Sequence, residues 1–151
     1  MMSLDGEISG GCHRMAVRVY YEDTDFSGIV YHANYLRFIE RGRTNYLRLL
    51  GIDHADLFAA AQNAAPLAFV VRSMRVEFLK PARMDDVLTI VTTAEEVRGA
   101  SIRLRQAVMR GADVLVEAQV RVACVCNGRS HPIPTPLRLA LEGVRTMAAA
   151  R

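Results

Sequence analysis

The chain has 151 residues, of which 51% are hydrophobic and 23% are charged, and its formal net charge is +3. This length supports one core, so we expect a single domain at residues 15–151 behind a flexible tail at residues 1–14. The basic residues are dispersed, which argues against nucleic-acid binding, and no apolar run approaches the ~20 residues of a transmembrane segment.

The predicted tail, MMSLDGEISGGCHR, shows no hydrophobic periodicity and lacks the apolar centre of a signal peptide. The cytoplasm is therefore the expected compartment. Cys12, Cys124 and Cys126 fit free thiols in such a reducing environment. The four histidines are scattered and none stands at ligand spacing from a cysteine, so no metal site is predicted.

A short strand with alternating apolar residues is predicted to end near Tyr21. Three carboxylates follow within four positions: Glu22, Asp23 and Asp25. Like charges this close raise one another's pKa, so we expect one of the three carboxyl groups to be either protonated or held by a partner.

The next segment predicts a long amphipathic helix. Asn34 is the expected N-cap, and Gly51 is the expected stop. Gly42 lies in the middle, where glycine costs about 0.5–1 kcal/mol relative to alanine, so another element is expected to come close there. The predicted buried face carries the apolar residues Tyr35, Leu36, Ile39, Tyr46, Leu47 and Leu50.

An acid, a histidine and a helix start therefore fall together between Asp25 and His32. A helix start offers unpaired N–H groups and a partial positive charge, which can polarise a carbonyl group while an acid assists the attack on it. The alternative interpretation is structural, because acids before helices often cap or turn the chain and such a histidine often only binds solvent.

The remainder predicts an alanine-rich short helix or lid-like loop at residues 52–65, then four strands, then a terminal helix. The order strand, helix and four strands predicts an α+β fold, in which a five-stranded antiparallel sheet is covered by the long helix. The predicted strands and terminal helix are residues 69–78, 87–97, 101–110, 114–126 and 136–150.

The run VYYEDTDFSGIVYHANYLRFIERGRTNYLRLLG closely resembles the opening of the hot-dog acyl-CoA thioesterases, in particular the YbgC-type branch related to 4-hydroxybenzoyl-CoA thioesterase. The resemblance continues through FVVRSMRVEFLKPARMDDVLTI and VRGASIRLRQAV, and it covers residues 15–136. It implies a hot-dog fold and a hydrolase acting on thioester bonds. The matching motif positions are Asp23, Asp25, Gly28, Val30 and Tyr35.

This resemblance assigns roles around the turn. Asp25 is the catalytic carboxylate, as nucleophile or as general base for water. The backbone N–H of His32 is the donor to the thioester carbonyl, and the His32 side chain can orient water or substrate. Tyr21 is expected to line the site, with Gly28 and Val30 contributing to substrate binding. The neighbouring acids Asp23 and Glu22 are expected to hold the turn.

The phosphates of CoA need cations or backbone donors. The resemblance places them at the hairpin Arg98, Gly99, Ala100 and Ser101, where the 4-hydroxybenzoyl relatives carry a denser basic run. Lys80 and Arg83 are further candidates, with ordinary solvated charges as the alternative. Val70 and Val71 match positions that bind the acyl group, with core packing as the alternative.

No cofactor is implied, because CoA is part of the substrate. The resemblance implies a homo-oligomer, at least a dimer and by expectation a tetramer, with acyl carrier protein as a further candidate partner. An uncovered edge strand such as Ser101–Arg110 would favour such association. Two other functions stay open: a hot-dog dehydratase or hydratase, and a non-catalytic scaffold that binds acyl carriers. The acid before the helix favours the thioesterase.

Overall fold

The computed structural model describes residues 3–51 and 67–150. The helix or loop predicted at residues 52–65 lies outside the described residues. The helices of the described part are α1 (His32–Leu49) and α2 (Thr135–Ala149). Its strands are β1 (Glu7–Ser9), β2 (Cys12–Arg18), β3 (Leu67–Phe78), β4 (Val87–Val97), β5 (Ser101–Arg110), β6 (Asp113–Cys126) and β7 (Arg129–Ser130).

The strands form one antiparallel sheet in the order β1-β2-β4-β5-β6-β3, with β7 paired to β6. This confirms the predicted α+β hot-dog architecture, and four of the five long strands lie where the sequence predicted them. The first strand, β2, ends at Arg18 instead of near Tyr21, which lies in a 3-10 helix (Tyr21–Asp23). The sheet gains two short strands, β1 and β7, which are too brief to show alternation. No helix of the described residues is long and apolar enough to cross a membrane.

The edge of the sheet is not where the sequence placed it. The segment Ser101–Arg110 was expected at an edge, but as β5 it lies between β4 and β6. One edge strand is β3, whose only partner among the described strands is β6, and the other is the short β1. The sequence indicates the long strands but not which strands they pair with, because long-range pairing is set by the packing of the whole sheet.

Part of the expected flexible tail is ordered. Glu7–Ser9 pairs with the start of β2, and the His13 side chain is fully buried with Nε2 2.6 Å from the Asp5 carbonyl oxygen. Gly11 has a φ of 80° and lies against the backbone of α2 at Val144. The expectation of a loose segment is therefore wrong for residues 7–14, because a two-strand turn this short leaves no periodic signal.

Helix α1 lies on the sheet as predicted. A Cβ atom on Gly42 would stand 2.7 Å from Ile90 Cγ2 and 3.2 Å from both Gln106 Nε2 and Thr92 Oγ1. The close approach expected at this glycine is therefore confirmed. The predicted stop is also confirmed, since Gly51 follows the helix with a φ of 100°. This packing fixes where the start of α1 stands relative to the sheet.

Candidate active site

The turn before α1 holds the Asp25 carboxylate in place. The Ser27 N–H donates to Asp25 Oδ1 at 2.8 Å, and the Ser27 hydroxyl donates to the same oxygen. The Gly28 N–H donates to the Asp25 carbonyl at 3.0 Å, and Gly28 adopts a φ of 83° that favours glycine. Asp25 is therefore exposed to solvent yet oriented by its own turn.

The pKa of Asp25 is lowered from its ordinary value. The main cause is the hydrogen bond from the Ser27 hydroxyl, followed by the Ser27 N–H, and the nearby His32 ring adds a smaller effect of the same sign. Of the two outcomes expected from crowded carboxylates, a protonated or a partnered group, Asp25 shows the second, because these donors stabilise its charged form. Asp25 is a carboxylate at neutral pH, as a general base or nucleophile must be.

The start of α1 presents unused hydrogen-bond donors. Tyr31 is the N-cap residue, and its N–H donates to the Asp23 carbonyl at 2.9 Å. Among the described residues, the backbone N–H groups of His32 and Ala33 have no hydrogen-bond acceptor, and the first turn of α1 contains no acidic residue. These amides and the helix dipole can together stabilise a negatively charged oxygen.

An apolar cavity of about 290 Å³ opens beside the His32 side chain. The His32 ring stands edge-on to Phe78, with 6.1 Å between ring centroids. A largely apolar concave site with a few polar groups is typical of small-molecule binding. The other residues that line the cavity are Ile29, Val30, Tyr35, Leu79, Lys80 and Pro81.

The structure brings most of the predicted motif together. Asp25 and Gly28 share the turn, while Val30 is buried at the cavity wall and its N–H donates to the Ala82 carbonyl at 2.9 Å. Tyr21 lies in the short 3-10 helix Tyr21–Asp23, and its side chain is 82% exposed. Its predicted contact with substrate stays a prediction.

The predicted phosphate hairpin lies at the other end of the sheet. Strand β4 starts at Val87, paired with Arg18 near the acidic turn, and ends about 33 Å away at the hairpin. Arg98 forms an ion pair with Glu96 there, and the Ser101 hydroxyl accepts a hydrogen bond from Arg121. The structure therefore does not bring this hairpin to Asp25 within one protomer.

Arg138 is a further basic residue at that hairpin, and it was not identified from the sequence. Arg138 of α2 donates to the carbonyl oxygens of Arg98, at 3.0 Å, and Gly99, at 2.6 Å. The N–H of Ile133 also donates to Gly99. Nothing in the sequence signals this contact, because the arginine lies some 40 positions further along the chain.

The two candidate valines of β3 are surface residues. Val70 is 43% exposed and Val71 is 46% exposed, so the core-packing alternative is wrong for both side chains in the protomer. They lie about 23–26 Å along β3 from Phe78 and the cavity. Lys80 does line the cavity, where it pairs with Asp113 at 3.2 Å, whereas exposed Arg83 contributes a backbone bridge to Ile29.

Asn34 has a different role from the predicted N-cap. The helix starts two residues earlier, and the Asn34 side chain is buried, with its Nδ2 2.5 Å from Asp23 Oδ1. Tyr35, the last position of the motif, accepts a hydrogen bond from the Ala82 N–H at 2.8 Å. The periodicity of the sequence could not locate the helix start, since Tyr31, His32 and Ala33 match no capping pattern.

The antiparallel sheet, the long helix packed on it and the acid beside the helix start define a protein of the hot-dog class. Within that class, the chain belongs to the thioesterase superfamily, whose family model matches residues 27–117. This confirms the resemblance seen in the sequence. The chain is 46% identical over 120 residues to the acyl-CoA thioesterase YbgC of Haemophilus influenzae, covering 80% of this chain and 85% of that protein.

Solved structures agree with this assignment. A probable thioesterase from Bartonella henselae matches with a TM-score of 0.76 and 41% identity, covering 82% of this chain and 99% of that one. The 4-hydroxybenzoyl CoA thioesterase from a Pseudomonas strain matches with a TM-score of 0.75 and 24% identity, covering 85% of this chain and 98% of that one. This second likeness shows the shared fold.

Proposed function

We propose that this protein hydrolyses acyl-CoA thioesters to the free acid and CoA. The observation that carries the proposal is the ionised Asp25 carboxylate beside a helix start whose His32 N–H has no acceptor among the described residues. An apolar cavity adjoins this pair and can take an acyl group. The thioesterase names of the relatives at 46% and 41% identity support the same reaction class.

In the proposed mechanism, the thioester carbonyl oxygen accepts the His32 N–H, and the dipole of α1 stabilises the oxyanion that develops. Asp25 takes a proton from water as the water oxygen bonds to the carbonyl carbon. The carbon–sulfur bond then breaks, and the proton passes to the departing CoA thiolate. Alternatively, the Asp25 carboxylate attacks the carbonyl carbon directly, and the carbon–sulfur bond breaks to release CoA and leave an acyl anhydride on Asp25. Water then cleaves this anhydride to the free acid and regenerates Asp25.

The proposal includes a homodimer formed through β3. This edge strand is 12 residues long and exposes Val70, Val71 and Phe78, and unpaired strand edges of this kind associate readily. Antiparallel pairing of two β3 strands about Met74 would place the valines of one copy beside the Phe78 of the other. The same arrangement would bring a second copy's residues to the cavity at His32.

We extend the proposal to the finer expectations of the sequence. Two such dimers would form the tetramer, the reaction would occur in the cytoplasm, and acyl carrier protein is an alternative thiol carrier. CoA phosphates would bind at Arg98–Ser101 of another subunit, with Arg138 as an added cation near that hairpin. The hairpin follows the far end of β4, about 33 Å along the strand from the end near the acidic turn, which favours contributions from two protomers.

The experiment is free-thiol release by the purified protein from short, long and aromatic acyl-CoAs and from an acylated carrier protein. We expect release from at least one acyl-CoA, and the panel ranks the acyl groups. Absence of thiol release from every thioester would contradict the proposal. Conversion of a 3-hydroxyacyl-CoA to its enoyl-CoA without thiol release would instead support the dehydratase.

A further inference from the structure

Two buried polar side chains join the acidic turn to α1. Asp23 is 6% exposed and Asn34 is 7% exposed. Asn34 Nδ2 donates to Asp23 Oδ1 at 2.5 Å, and the Tyr20 N–H donates to Asp23 Oδ2 at 2.8 Å. Each carboxylate oxygen therefore has its own donor, which is what a buried carboxylate requires.

The backbone of Asp23 reaches the same helix start. Its carbonyl accepts the Tyr31 N–H at 2.9 Å, and two residues later the Asp25 N–H donates to the Ile29 carbonyl at 3.0 Å. The bond to Asp23 occupies the amide of the N-cap residue. His32 is consequently the first residue of the helix start whose amide has no acceptor among the described residues.

The location of the pair connects the two halves of the site. Asp23 precedes Asp25 by two positions, and Asn34 lies in the first turn of α1 with His32. Between them, the tip of the turn is exposed from Asp25 to Gly28. The hydrogen bond between the Asp23 and Asn34 side chains therefore holds the turn that carries Asp25 against the start of α1, on the buried side of that turn.

We propose that the Asp23–Asn34 pair is a positioning element, which fixes the separation between the Asp25 carboxylate and the His32 N–H. Neither side chain of the pair touches substrate. The inference rests on the proposed thioester hydrolysis and identifies the contact that keeps the two reacting groups of that site at a fixed separation. A misplacement of about 1 Å between reacting groups can reduce a rate on the order of 100-fold, so this one bond can control turnover.

The first test is Asn34→Asp, which sets two carboxyl groups face to face. At low pH the pair shares one proton, and the hydrogen bond persists; as pH rises both groups ionise and repel each other. We expect kcat to fall with rising pH, to about 10–100-fold below the wild type at alkaline pH. KM should stay within about 3-fold, because the cavity residues are unchanged.

The second test exchanges the two residues, Asp23→Asn with Asn34→Asp. The exchanged pair again has a donor facing a carboxylate, and the Asn oxygen can still accept the Tyr20 N–H. We expect kcat to recover to within about 3-fold of wild type and the alkaline loss to disappear. The control is Glu22→Gln. Glu22 was expected from the sequence to hold the turn together with Asp23, but it is exposed, so this variant should behave as wild type.

Circular dichroism at the assay temperature shows whether each variant is folded. If Asn34→Asp fails to fold, the exchanged pair alone decides the question. A wild-type protein without thioesterase activity would contradict the proposed function itself. If the wild type is active, two results would overturn the positioning role alone. One is an Asn34→Asp variant whose dependence of kcat on pH matches that of the wild type. The other is an exchanged pair that folds without recovering kcat.

Discussion

At the scale of single residues, the site depends on how Asp25 stays charged while exposed. Its carboxylate is held by two donors from Ser27, and these lower its pKa. The motif in the sequence identified Asp25 and His32 as neighbours. It could not identify Ser27 as a partner, since a serine in a turn has many uses.

Ser27→Ala tests this residue-scale account. Removal of the hydroxyl removes the largest cause of the lowered pKa of Asp25, so that pKa should rise toward its ordinary value of about 4. The carboxylate is then protonated at a higher pH, and the acid limb of kcat/KM should move upward in pH.

The matched control is Thr24→Val, because the Thr24 hydroxyl lies in the same turn but donates to the Tyr21 carbonyl. Its acid limb should coincide with that of the wild type. An unchanged acid limb in Ser27→Ala would show that this hydroxyl does not set the charge of the catalytic carboxylate.

The role of Asn34 could not be predicted from the sequence. The sequence suggested an N-cap because asparagine preceded an apolar-periodic run. The structure instead starts α1 at His32 and buries Asn34 against Asp23, a residue 11 positions earlier. A hydrogen bond between two segments leaves no local pattern, so spacing alone could not reveal this contact.

At the scale of elements, α1 is located by its contact with the sheet at Gly42. The fully buried Ile90 and Gln106, 1% exposed, leave no space for a larger residue. The mid-helix glycine indicated this approach in the sequence. The identity of the contacting strands, β4 and β5, came only from the fold.

Gly42→Ala should destabilise the protein even though alanine favours helices. The new Cβ would stand 2.7 Å from Ile90 Cγ2, and we expect a loss of about 1–3 kcal/mol in the free energy of unfolding. Gly143→Ala in α2 is the control, because nothing lies within 4 Å of its Cβ position.

That control should stabilise the protein by about 0.5–1 kcal/mol. Urea denaturation followed by circular dichroism measures both effects. Equal stabilisation in the two variants would contradict the close packing of α1 on the sheet.

The long strands were the most predictable elements. β4 and β5 have the boundaries that alternation indicated, and β3 and β6 extend those predicted by one or two residues. β1 has only three residues and β7 only two, too few for a period of two to emerge. These two strands form because an adjacent strand offers backbone hydrogen bonds, not because of their own side chains.

At the scale of the whole molecule, the exposed edge of β3 is the feature that a monomer leaves unexplained. The sequence predicted association but assigned the edge to the wrong strand, because strand order is set by long-range pairing. The same limit applies to the hairpin at Arg98, which the resemblance placed in the site and the fold places at the far end of β4.

Val71→Lys should weaken the proposed dimer. Val71 is 46% exposed on β3, and pairing of the two edges would cover it, so a lysine there would place a charge in the interface, as natural edge strands do to block such pairing. Light scattering after size exclusion should give at least twice 16.8 kDa for the wild type and a shift toward 16.8 kDa for the variant.

Leu139→Lys replaces a 67% exposed leucine of α2 and should keep the wild-type mass. A monomeric wild type would contradict the dimer. A Val71→Lys variant that keeps the full mass would contradict the location of the dimer interface at β3.

The most direct test of the central claim compares acyl-CoA hydrolysis by the wild type and by Asp25→Asn. Asp85→Asn is the control, since Asp85 is exposed and its φ of 68° suits asparagine. We expect Asp25→Asn to lose about 100–10,000-fold in kcat while Asp85→Asn stays near wild type. Turnover by folded Asp25→Asn within about 2-fold of wild type would contradict the assignment of the reaction to this carboxylate.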